Sequence, residues 1–404
     1  MTEEISISGF ATPEFEAVRD AFAENFEHRN ELGAACCIYY NGKKVVDLWG
    51  GFRNKACEPW EENTMALIAS ATKGIAGLTM ALAESRGLFD YDACVSEYWP
   101  EFAQHGKDKI TVRQLMAHQA GLFALDKRVG TKIEADLDQL SIILARQKPV
   151  WEPGTRQAYH AITLGFYESE MLRRVDSKRR SLGQYFHEEI AVPLNLEFYI
   201  GLPEEIPNSR LAKNYMANPI PGAFKAPIPL MLAVANPRSR IRKALWGDLP
   251  TDKKRIYPRN VEVPSGGGIG TARAMAKAYG IFANGGEELG LSIETLNQLM
   301  APACPPTRGF YDEVMKLDGM QLSLGFMKPS PQVPYGHPSS FGMLGFGGYF
   351  GFADPHAKIG FAYILNRNDV YLSDPRQNAL RLAMYHSIGE TDPFFVHDKG
   401  EVPV

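Results

Sequence analysis

The feature that most restricts the fold is the segment from Ser70 to Arg86, whose spacing predicts a helix that is apolar on nearly every side. A helix of this kind needs other elements packed around it, because any uncovered face would expose apolar surface to water. Arg86 in its last turn and Gly87 just after it are typical helix-stop residues. The chain must therefore build a core that surrounds this helix, and 404 residues, 45% of them hydrophobic, are enough for that.

Predicted strands lie near both ends of the sequence. Residues Ala34–Tyr40 and Lys43–Trp49 flank Asn41-Gly42, the dipeptide that favours a tight β-hairpin. Near the other end, Gly348–Ala353 and Lys358–Asn366 are short, apolar and rich in β-forming residues. Strands at both ends with helices between them predict one sheet built from both parts of the chain, interrupted by a helical insertion.

Several further segments have helical patterns. They are residues 10–30, 111–120, 161–174, a short helix near Pro229–Val234, and Pro375–Ser387. Two interpretations stay open for the apolar run from Pro227 to Val234: a lid over an acyl pocket, or buried packing.

Composition excludes several classes of function. A net charge of −4, evenly mixed along the chain, argues against nucleic acid or a charged membrane as a partner. No apolar run approaches the roughly 20 residues of a membrane-spanning helix. The first residues lack the basic start and apolar stretch of a secretory signal. We therefore expect a soluble, cytoplasmic protein.

Cofactor and metal motifs are absent from the sequence. The five cysteines are irregularly spaced and form no Cys-x-x-Cys pair, which argues against a disulfide scaffold or a cysteine zinc site. There is no Walker loop and no His-Glu-x-x-His. We expect no bound cofactor and no metal.

The start of the apolar helix carries a candidate nucleophile. Ser70 and Lys73 are three residues apart and so share one face of the helix. A serine hydroxyl needs a base to take its proton, and lysine can be that base only where burial or a neighbouring cation lowers its pKa. The tetrapeptide alone arises by chance about once in a chain of this length, so an ordinary buried helix start remains the alternative.

Three other blocks could contribute to a site. Tyr159 follows a Pro153-Gly154 turn and precedes a predicted helix, where a core or capping role is also possible. Ser265–Arg273 is a glycine-rich loop that resembles a phosphate cradle only loosely, because it lacks the Gly-Lys-Ser/Thr ending. Phe341–Gly348 is rich in glycine and leads into a strand. Glycines in a strand often mark a place where a ligand approaches the backbone closely.

Taken together, five blocks in this order resemble the β-lactamase-related serine hydrolases, which include class C β-lactamases, DD-peptidases and family VIII carboxylesterases. The blocks are Ser70-x-x-Lys73, Leu115–Leu122, Pro153-Gly154 followed by Tyr159, Ser265–Ala272 and Gly345–Pro355. Tyr159-His160-Ala161 and Tyr98–Phe102 look most like the esterase branch, since lactamases and peptidases carry Tyr-x-Asn where this chain has Ala161.

The resemblance implies specific roles. Ser70 is the acylated nucleophile, and Lys73 and Tyr159 share the base and acid roles, with their order of action open. The backbone N–H groups of Ser70 and Phe346 form the oxyanion hole. His118 and His160 are expected to support the site structurally rather than take part in the chemistry.

The same resemblance implies the fold. It is an α/β (α+β) class, with an antiparallel sheet flanked by helices and an additional all-helical domain. We expect a discontinuous α/β domain from residues 1–95 and 256–404, and a mainly helical domain with long loops from residues 96–255. The active site would lie between them.

The third motif departs from the family pattern. It is Lys-Thr-Gly in lactamases and often His-x-Gly or Trp-Gly-Gly in esterases, but here it is Met343-Leu344-Gly345. Met343, Gly345 and Phe346 are the expected substrate-binding residues. Methionine removes the cation that would hold a substrate carboxylate, which argues against β-lactams.

The leading hypothesis is therefore hydrolysis of a small carboxylic ester through an acyl-enzyme on Ser70, with acyl groups of about two to six carbons. One alternative is a β-lactam or amide hydrolase, or an acyl transferase, with the same nucleophile. The other is a catalytically degenerate scaffold protein, which the intact Ser70, Lys73 and Tyr159 oppose.

Overall fold

The computed structural model describes residues 5–126, 129–216, 228–236, 238–245, 257–369 and 373–390, without the side chains of Thr131 and Pro229. Within these ranges the strands are β1 Ile7–Ala11, β2 Gly33–Tyr40, β3 Lys43–Gly51, β4 Ala66–Leu67, β5 Phe198–Ile200, β6 Tyr215–Met216, β7 Gly268–Gly270, β8 Leu322–Ser323, β9 Phe326–Met327, β10 Phe341–Leu344, β11 Phe350–Asp354, β12 Ile359–Leu365 and β13 Arg367–Asn368.

Helices occupy much of the remaining chain. The α-helices are α1 Glu16–His28, α2 Thr72–Ser85, α3 Val95–Tyr98, α4 Val112–Met116, α5 Thr131–Glu134, α6 Leu137–Arg146, α7 Thr163–Val175, α8 Leu182–Phe186, α9 Ile228–Ala235, α10 Arg240–Ala244, α11 Ala272–Ala283, α12 Ile293–Met300 and α13 Pro375–Ser387. Short 3-10 turns cover Pro13–Phe15, Ala69–Ala71, Pro100–Gly106, Asn208–Arg210 and Glu287–Leu289, and a π-helical turn covers His187–Ala191.

One antiparallel sheet unites the two ends of the chain. Its strand order is β1-β3-β2-β12-β11-β10-β9-β8. The two parts of the chain join where β2 pairs with β12, with Ala34 opposite Leu365. The predicted hairpin is confirmed, and both of its turn residues, Asn41 and Gly42, have the positive φ that such a turn requires. The predicted fold class, with one sheet drawn from both ends, is therefore confirmed.

Helices cover both faces of this sheet. On β12, Gly360 and Tyr363 point to opposite faces because strand side chains alternate. A Cβ added at Gly360 would lie 2.2 Å from the backbone nitrogen of Gly280, so α11 packs directly on that face. Tyr363 meets Phe22 of α1 on the other face, with ring centroids 6.5 Å apart. The strand is thus buried on both sides.

Helix α2 lies at the centre of the molecule. Every residue from Thr72 to Ala83 is buried, which confirms the prediction of a surrounded helix. Its sequence explains the close contacts, because it offers small residues where neighbours approach. At Gly77, for example, an added Cβ would lie 2.8 Å from the Phe326 ring.

Two of the predicted helices are corrected at their ends. The helix expected over residues 10–30 begins only at Glu16, because Phe10 and Ala11 pair with β3 as part of β1 and Pro13 starts a 3-10 turn. The helix expected over residues 111–120 ends at Met116. It stops there because His118 adopts a left-handed φ of 60°, which a helix cannot accommodate.

The region expected to form a helical domain is mainly helical where it is described, with β5 and β6 as its strands. Its predicted boundary at residues 255 and 256 lies outside the described residues, so the division into domains stays a prediction. The short helix expected at Pro229–Val234 is confirmed as α9. Pro227 also lies outside the described residues, and the lid over an acyl pocket stays a prediction.

None of the described helices combines the length and the apolar character that crossing a membrane requires.

Candidate active site

Ser70 lies in the 3-10 turn that leads into α2. The residue before it, Ala69, has φ 47°, a conformation that costs a residue with a side chain about 1–2 kcal/mol. The turn is held by Thr72, whose Oγ1 donates to the Ala69 carbonyl at 2.6 Å and accepts from the Gly268 N–H at 2.9 Å. Ser70 therefore lies on a strained turn that is hydrogen-bonded to the glycine-rich segment.

Lys73 contacts three oxygen atoms of the candidate site. Its side chain has no exposed surface, and its Nζ lies 3.3 Å from Ser70 Oγ, 2.6 Å from the Ala161 carbonyl oxygen and 2.8 Å from the Ser265 carbonyl oxygen. A neutral amine has two N–H donors and one lone pair. Since the two carbonyls can only accept, they take both N–H groups and leave the lone pair for the Ser70 hydroxyl.

Burial tunes Lys73 for this role. Removal from water disfavours the ammonium and lowers the pKa of Lys73 to about 7, while the carboxylate of Glu168 acts in the opposite direction. A substantial fraction of the amine is then neutral near pH 7. This is the environment that the apolar helix predicted.

Tyr159 is the third member of the group around Ser70. It is only 8% exposed, its hydroxyl is hydrogen-bonded to the Ser70 side chain, and Lys73 Nζ lies 4.8 Å from its ring centroid. Burial raises the pKa of Tyr159 above its ordinary value. The phenol therefore keeps its proton at neutral pH and can donate it.

His118 and His160 form a buried pair behind the tyrosine. The His160 backbone N–H donates to His118 Nδ1 at 2.8 Å, and the Leu122 N–H donates to His160 Nε2 at 3.1 Å. These bonds place the ring protons on His118 Nε2 and His160 Nδ1, and the latter points at His118 Nδ1, 3.0 Å away. Burial lowers the pKa of His160 to about 3, so the pair is neutral and fixes the backbone on either side of Tyr159.

Glu168 was missed by the sequence analysis. It is 1% exposed, and neither carboxylate oxygen has a hydrogen-bond partner among the described residues. A Cβ added at Gly325 would lie 3.2 Å from Glu168 Oε1 and 3.3 Å from Gly77 Cα, so the carboxylate borders α2. Gly77 is one turn beyond Lys73 on the same helix face.

A signal for Glu168 exists in the sequence. Leu164, Tyr167, Met171 and Leu172 form the apolar stripe of α7, and Glu168 occupies a position in that stripe at helical spacing. Burial raises the pKa of Glu168 to about 8, and Lys73 acts against this rise. The carboxyl group is therefore electrically coupled to the candidate base.

The third motif lies beside the turn that carries Ser70. A Cβ added at Gly345 would lie 2.4 Å from the Ile68 carbonyl oxygen, so only glycine allows the strand to approach this closely. Met343 has no exposed surface, and its Cβ lies 3.1 Å from where a Cβ on Gly74 would be. The Phe346 side chain is 57% exposed, and its backbone N–H has no acceptor among the described residues.

The glycine-rich loop has a packing role in this structure. Its Ser265 carbonyl binds Lys73, and Ser265 Oγ accepts from the Gly165 N–H at 2.7 Å. Gly268–Gly270 forms β7, which pairs with both β4 and β5. A Cβ added at Gly268 would lie 2.7 Å from Thr72 Oγ1, so the glycine permits close packing on the start of α2.

Comparison with known proteins agrees with this arrangement. The Beta-lactamase family model matches residues 18–384. The protein named Esterase/beta-lactamase LipL from Mycobacterium tuberculosis is 32% identical over 369 residues, covering 89% of this chain and 83% of that protein.

Solved structures give the same result. A family VIII carboxylesterase superimposes with a TM-score of 0.81 at 38% identity, covering 95% of this chain and 100% of the other. A penicillin-binding protein homologue from Caulobacter crescentus has a TM-score of 0.82 at 32% identity, with 95% and 100% covered. The resemblance inferred from the five sequence blocks is confirmed, and this chain belongs to the β-lactamase family, as a hydrolase with that fold.

Proposed function

We propose that this protein hydrolyses small carboxylic esters through an acyl-enzyme on Ser70. The observation that carries the proposal is the placement of Lys73, whose Nζ is hydrogen-bonded to two backbone carbonyls and lies 3.3 Å from Ser70 Oγ. In the neutral amine the two carbonyls take both N–H groups, and the lone pair is left for the Ser70 hydroxyl. A buried amine held in this way is a general base for one hydroxyl.

The reaction begins with attack on the ester. Lys73 takes the proton of Ser70 as Oγ bonds to the carbonyl carbon, and the backbone N–H groups of Ser70 and Phe346 receive the resulting oxyanion. When the tetrahedral intermediate collapses, the C–O bond to the alcohol breaks, Tyr159 passes a proton to the leaving oxygen, and the Lys73 ammonium returns a proton to Tyr159. Water then attacks the acyl carbon while the same two groups take its proton. The bond to Ser70 Oγ breaks, Oγ recovers that proton, and the acid is released.

The third motif favours esters over β-lactams. Met343 is buried and carries no charge, so no side chain at this position pairs with a carboxylate. Losing a hydrogen bond to a charged group costs about 1.5–3 kcal/mol, which is about one to two decades in kcat/KM. Hydrolysis of β-lactams remains the second candidate because the Mycobacterium tuberculosis relative is named as both an esterase and a β-lactamase.

We expect p-nitrophenyl esters with acyl groups from acetyl to hexanoyl to be hydrolysed with a burst of about one p-nitrophenol per active site, because the acyl-enzyme accumulates. A chromogenic cephalosporin should be opened with a kcat/KM lower by about one to two decades. Stopped-flow absorbance measures both reactions. If the cephalosporin is the better substrate, the protein is a β-lactam hydrolase and the ester proposal is wrong.

Replacing Glu168 with glutamine should move the acidic limb of the pH dependence of kcat/KM to lower pH. The neutral amine of Lys73 is the active form, and the acidic limb of kcat/KM reports its pKa in the free enzyme. Glu168 and Lys73 are a coupled pair in which each group favours the ionised form of the other, so a glutamine, which cannot ionise, should lower the pKa of Lys73. Ester hydrolysis measured from pH 5 to pH 9 gives the limb.

Glu188→Gln is the matched control, since Glu188 lies on the surface in an ion pair with Arg180 and makes the same change in charge. This control variant should leave the acidic limb of kcat/KM at the same pH as in the wild type. A limb that stays in place in Glu168→Gln, or moves to higher pH, would show that Lys73 is not the titrating base or that Glu168 does not act on it.

A further inference from the structure

Three potential metal ligands meet far from Ser70. His337 precedes β10, His356 lies in the turn between β11 and β12, and Glu390 follows the end of α13. One ligand atom from each lies within 4.8 Å of the other two. The three residues are widely spaced in the sequence and form no recognisable motif, so the expectation of no metal, which rested on the cysteines and on known motifs, could not address them.

The geometry suits a small cation. His337 Nε2 lies 3.5 Å from Glu390 Oε2. With metal–ligand bonds of about 2.0–2.1 Å, two ligands of a tetrahedral site are about 3.4 Å apart. The imidazole rings of His337 and His356 lie side by side, with centroids 4.1 Å apart. The distance between His337 Nε2 and Glu390 Oε2 is therefore longer than a good hydrogen bond and close to the distance between two ligands of a tetrahedral metal site.

A buried carboxylate fixes the tautomer of His337. Asp354 has no exposed surface, and its Oδ2 lies 2.8 Å from His337 Nδ1. The same oxygen accepts the Tyr385 hydroxyl at 2.6 Å, and Asp354 Oδ1 accepts the His356 backbone N–H at 3.1 Å. Carboxylates that orient metal-binding histidines make this contact. The proton of His337 is thereby kept on Nδ1, and the Nε2 lone pair faces Glu390.

Glu390 supplies the second indication. Its Oε2 is buried and has no hydrogen-bond partner among the described residues. A carboxylate oxygen facing a nitrogen lone pair is repulsive unless a cation lies between them. That cation is either a proton, which would make His337 an imidazolium, or a metal ion.

We propose that His337, His356 and Glu390 bind one divalent transition-metal ion of the zinc type. Two nitrogens and one carboxylate oxygen suit Zn²⁺, Cu²⁺ or Ni²⁺, whereas Ca²⁺ and Mg²⁺ prefer oxygen ligands. His356 is exposed, so the ion can enter from solvent and keep a water as its fourth ligand.

The position of the site indicates a structural role. Asp354 ends β11, and Phe350, at the other end of that strand beside the third motif, is about 13 Å away along the strand. A bound ion would link Glu390, which lies after the end of α13, to His356 in the turn between β11 and β12. This site does not depend on the proposed ester hydrolysis.

Zinc titration tests the proposal. The full chain, treated with a chelator and dialysed, should bind one equivalent of Zn²⁺ by calorimetry. At zinc about a hundredfold above Kd, Tm should rise by at least about 2 °C, because an ion that binds only the folded state stabilises it. Mg²⁺ and Ca²⁺ should have no effect. The rate of ester hydrolysis is recorded in parallel and is not expected to change with zinc.

Variants assign the site. His356→Ala and Glu390→Gln should each lose the zinc-dependent rise in Tm, whereas His386→Ala, an exposed histidine in the last turn of α13, should keep it. Because His356 is exposed, its replacement should leave the metal-free Tm nearly unchanged. Absence of stoichiometric binding to the wild type would mean that a proton occupies the space, and undiminished binding in His356→Ala would place the zinc elsewhere; either result overturns the proposal.

Discussion

Ser70→Ala is expected to abolish ester hydrolysis, with kcat reduced by at least about ten-thousandfold, because no acyl-enzyme can form without the hydroxyl. A fluorophosphonate probe should label the wild type at Ser70 alone, and peptide mass mapping identifies the labelled residue. The reason for this selectivity lies in the geometry. Among the described residues, Lys73 Nζ lies 3.3 Å from Ser70 Oγ and the Tyr159 hydroxyl is hydrogen-bonded to the Ser70 side chain, so a base and an acid meet at this residue.

Ser85→Ala is the matched control for this loss, because Ser85 ends α2, which follows Ser70, and among the described residues its hydroxyl accepts the Ser292 N–H at 2.7 Å. That variant should keep both labelling and hydrolysis. Covalent labelling that persists in Ser70→Ala, with turnover above the uncatalysed rate, would place the nucleophile at another residue.

The sequence was most informative where the environment of a residue is local. Ser70 lies in the 3-10 turn that leads into α2 and Lys73 lies in its first turn, so their proximity follows from a separation of three residues in a helical segment. The hairpin at Asn41-Gly42 was predictable for the same reason, since the turn residues dictate the conformation. In both cases, the interactions that decide the structure lie within a few residues of each other.

The partners of Lys73 were not predictable in this way. The carbonyls of Ala161 and Ser265 are 88 and 192 residues away along the chain, and a backbone carbonyl has no sequence signature. Only the folded arrangement of α7 and the glycine-rich segment brings them together. The assignment of the amine lone pair to Ser70 depends on these two contacts and therefore required the structure.

The backbone strain at Ala69 and the full burial of Met343 were also not predicted from the sequence. Ala69 gives no sign that it adopts a positive φ, because alanine normally avoids that region and tertiary contacts must impose it. Met343 was identified from its place in the third motif, but its full burial against α2 is a property of the packed strand. Its contact with substrate stays a prediction, as does that of Phe346.

Lys73→Ala and Tyr159→Phe should each lower kcat by at least about a hundredfold, the usual scale for losing a positioned acid or base. Tyr159→Phe removes one hydroxyl and keeps the buried ring. Lys73→Ala also leaves the Ala161 and Ser265 carbonyls without their donor, so circular dichroism and Tm must accompany the kinetics. In the wild type, kcat/KM should rise through about pH 7 as the amine of Lys73 loses its proton, and this limb should disappear in Lys73→Ala.

The double variant distinguishes one proton-handling unit from two separate roles. Both groups contact the same Ser70 oxygen, so removing the second should cost little once the first is gone. We therefore expect the double variant to be nearly as active as the poorer single variant, with free energies of activation far from additive. Additive losses would show that Lys73 and Tyr159 limit the rate independently and do not pass a proton between them. That outcome would retain Ser70 as the nucleophile but would exclude the proton transfer that makes Lys73 and Tyr159 a single unit.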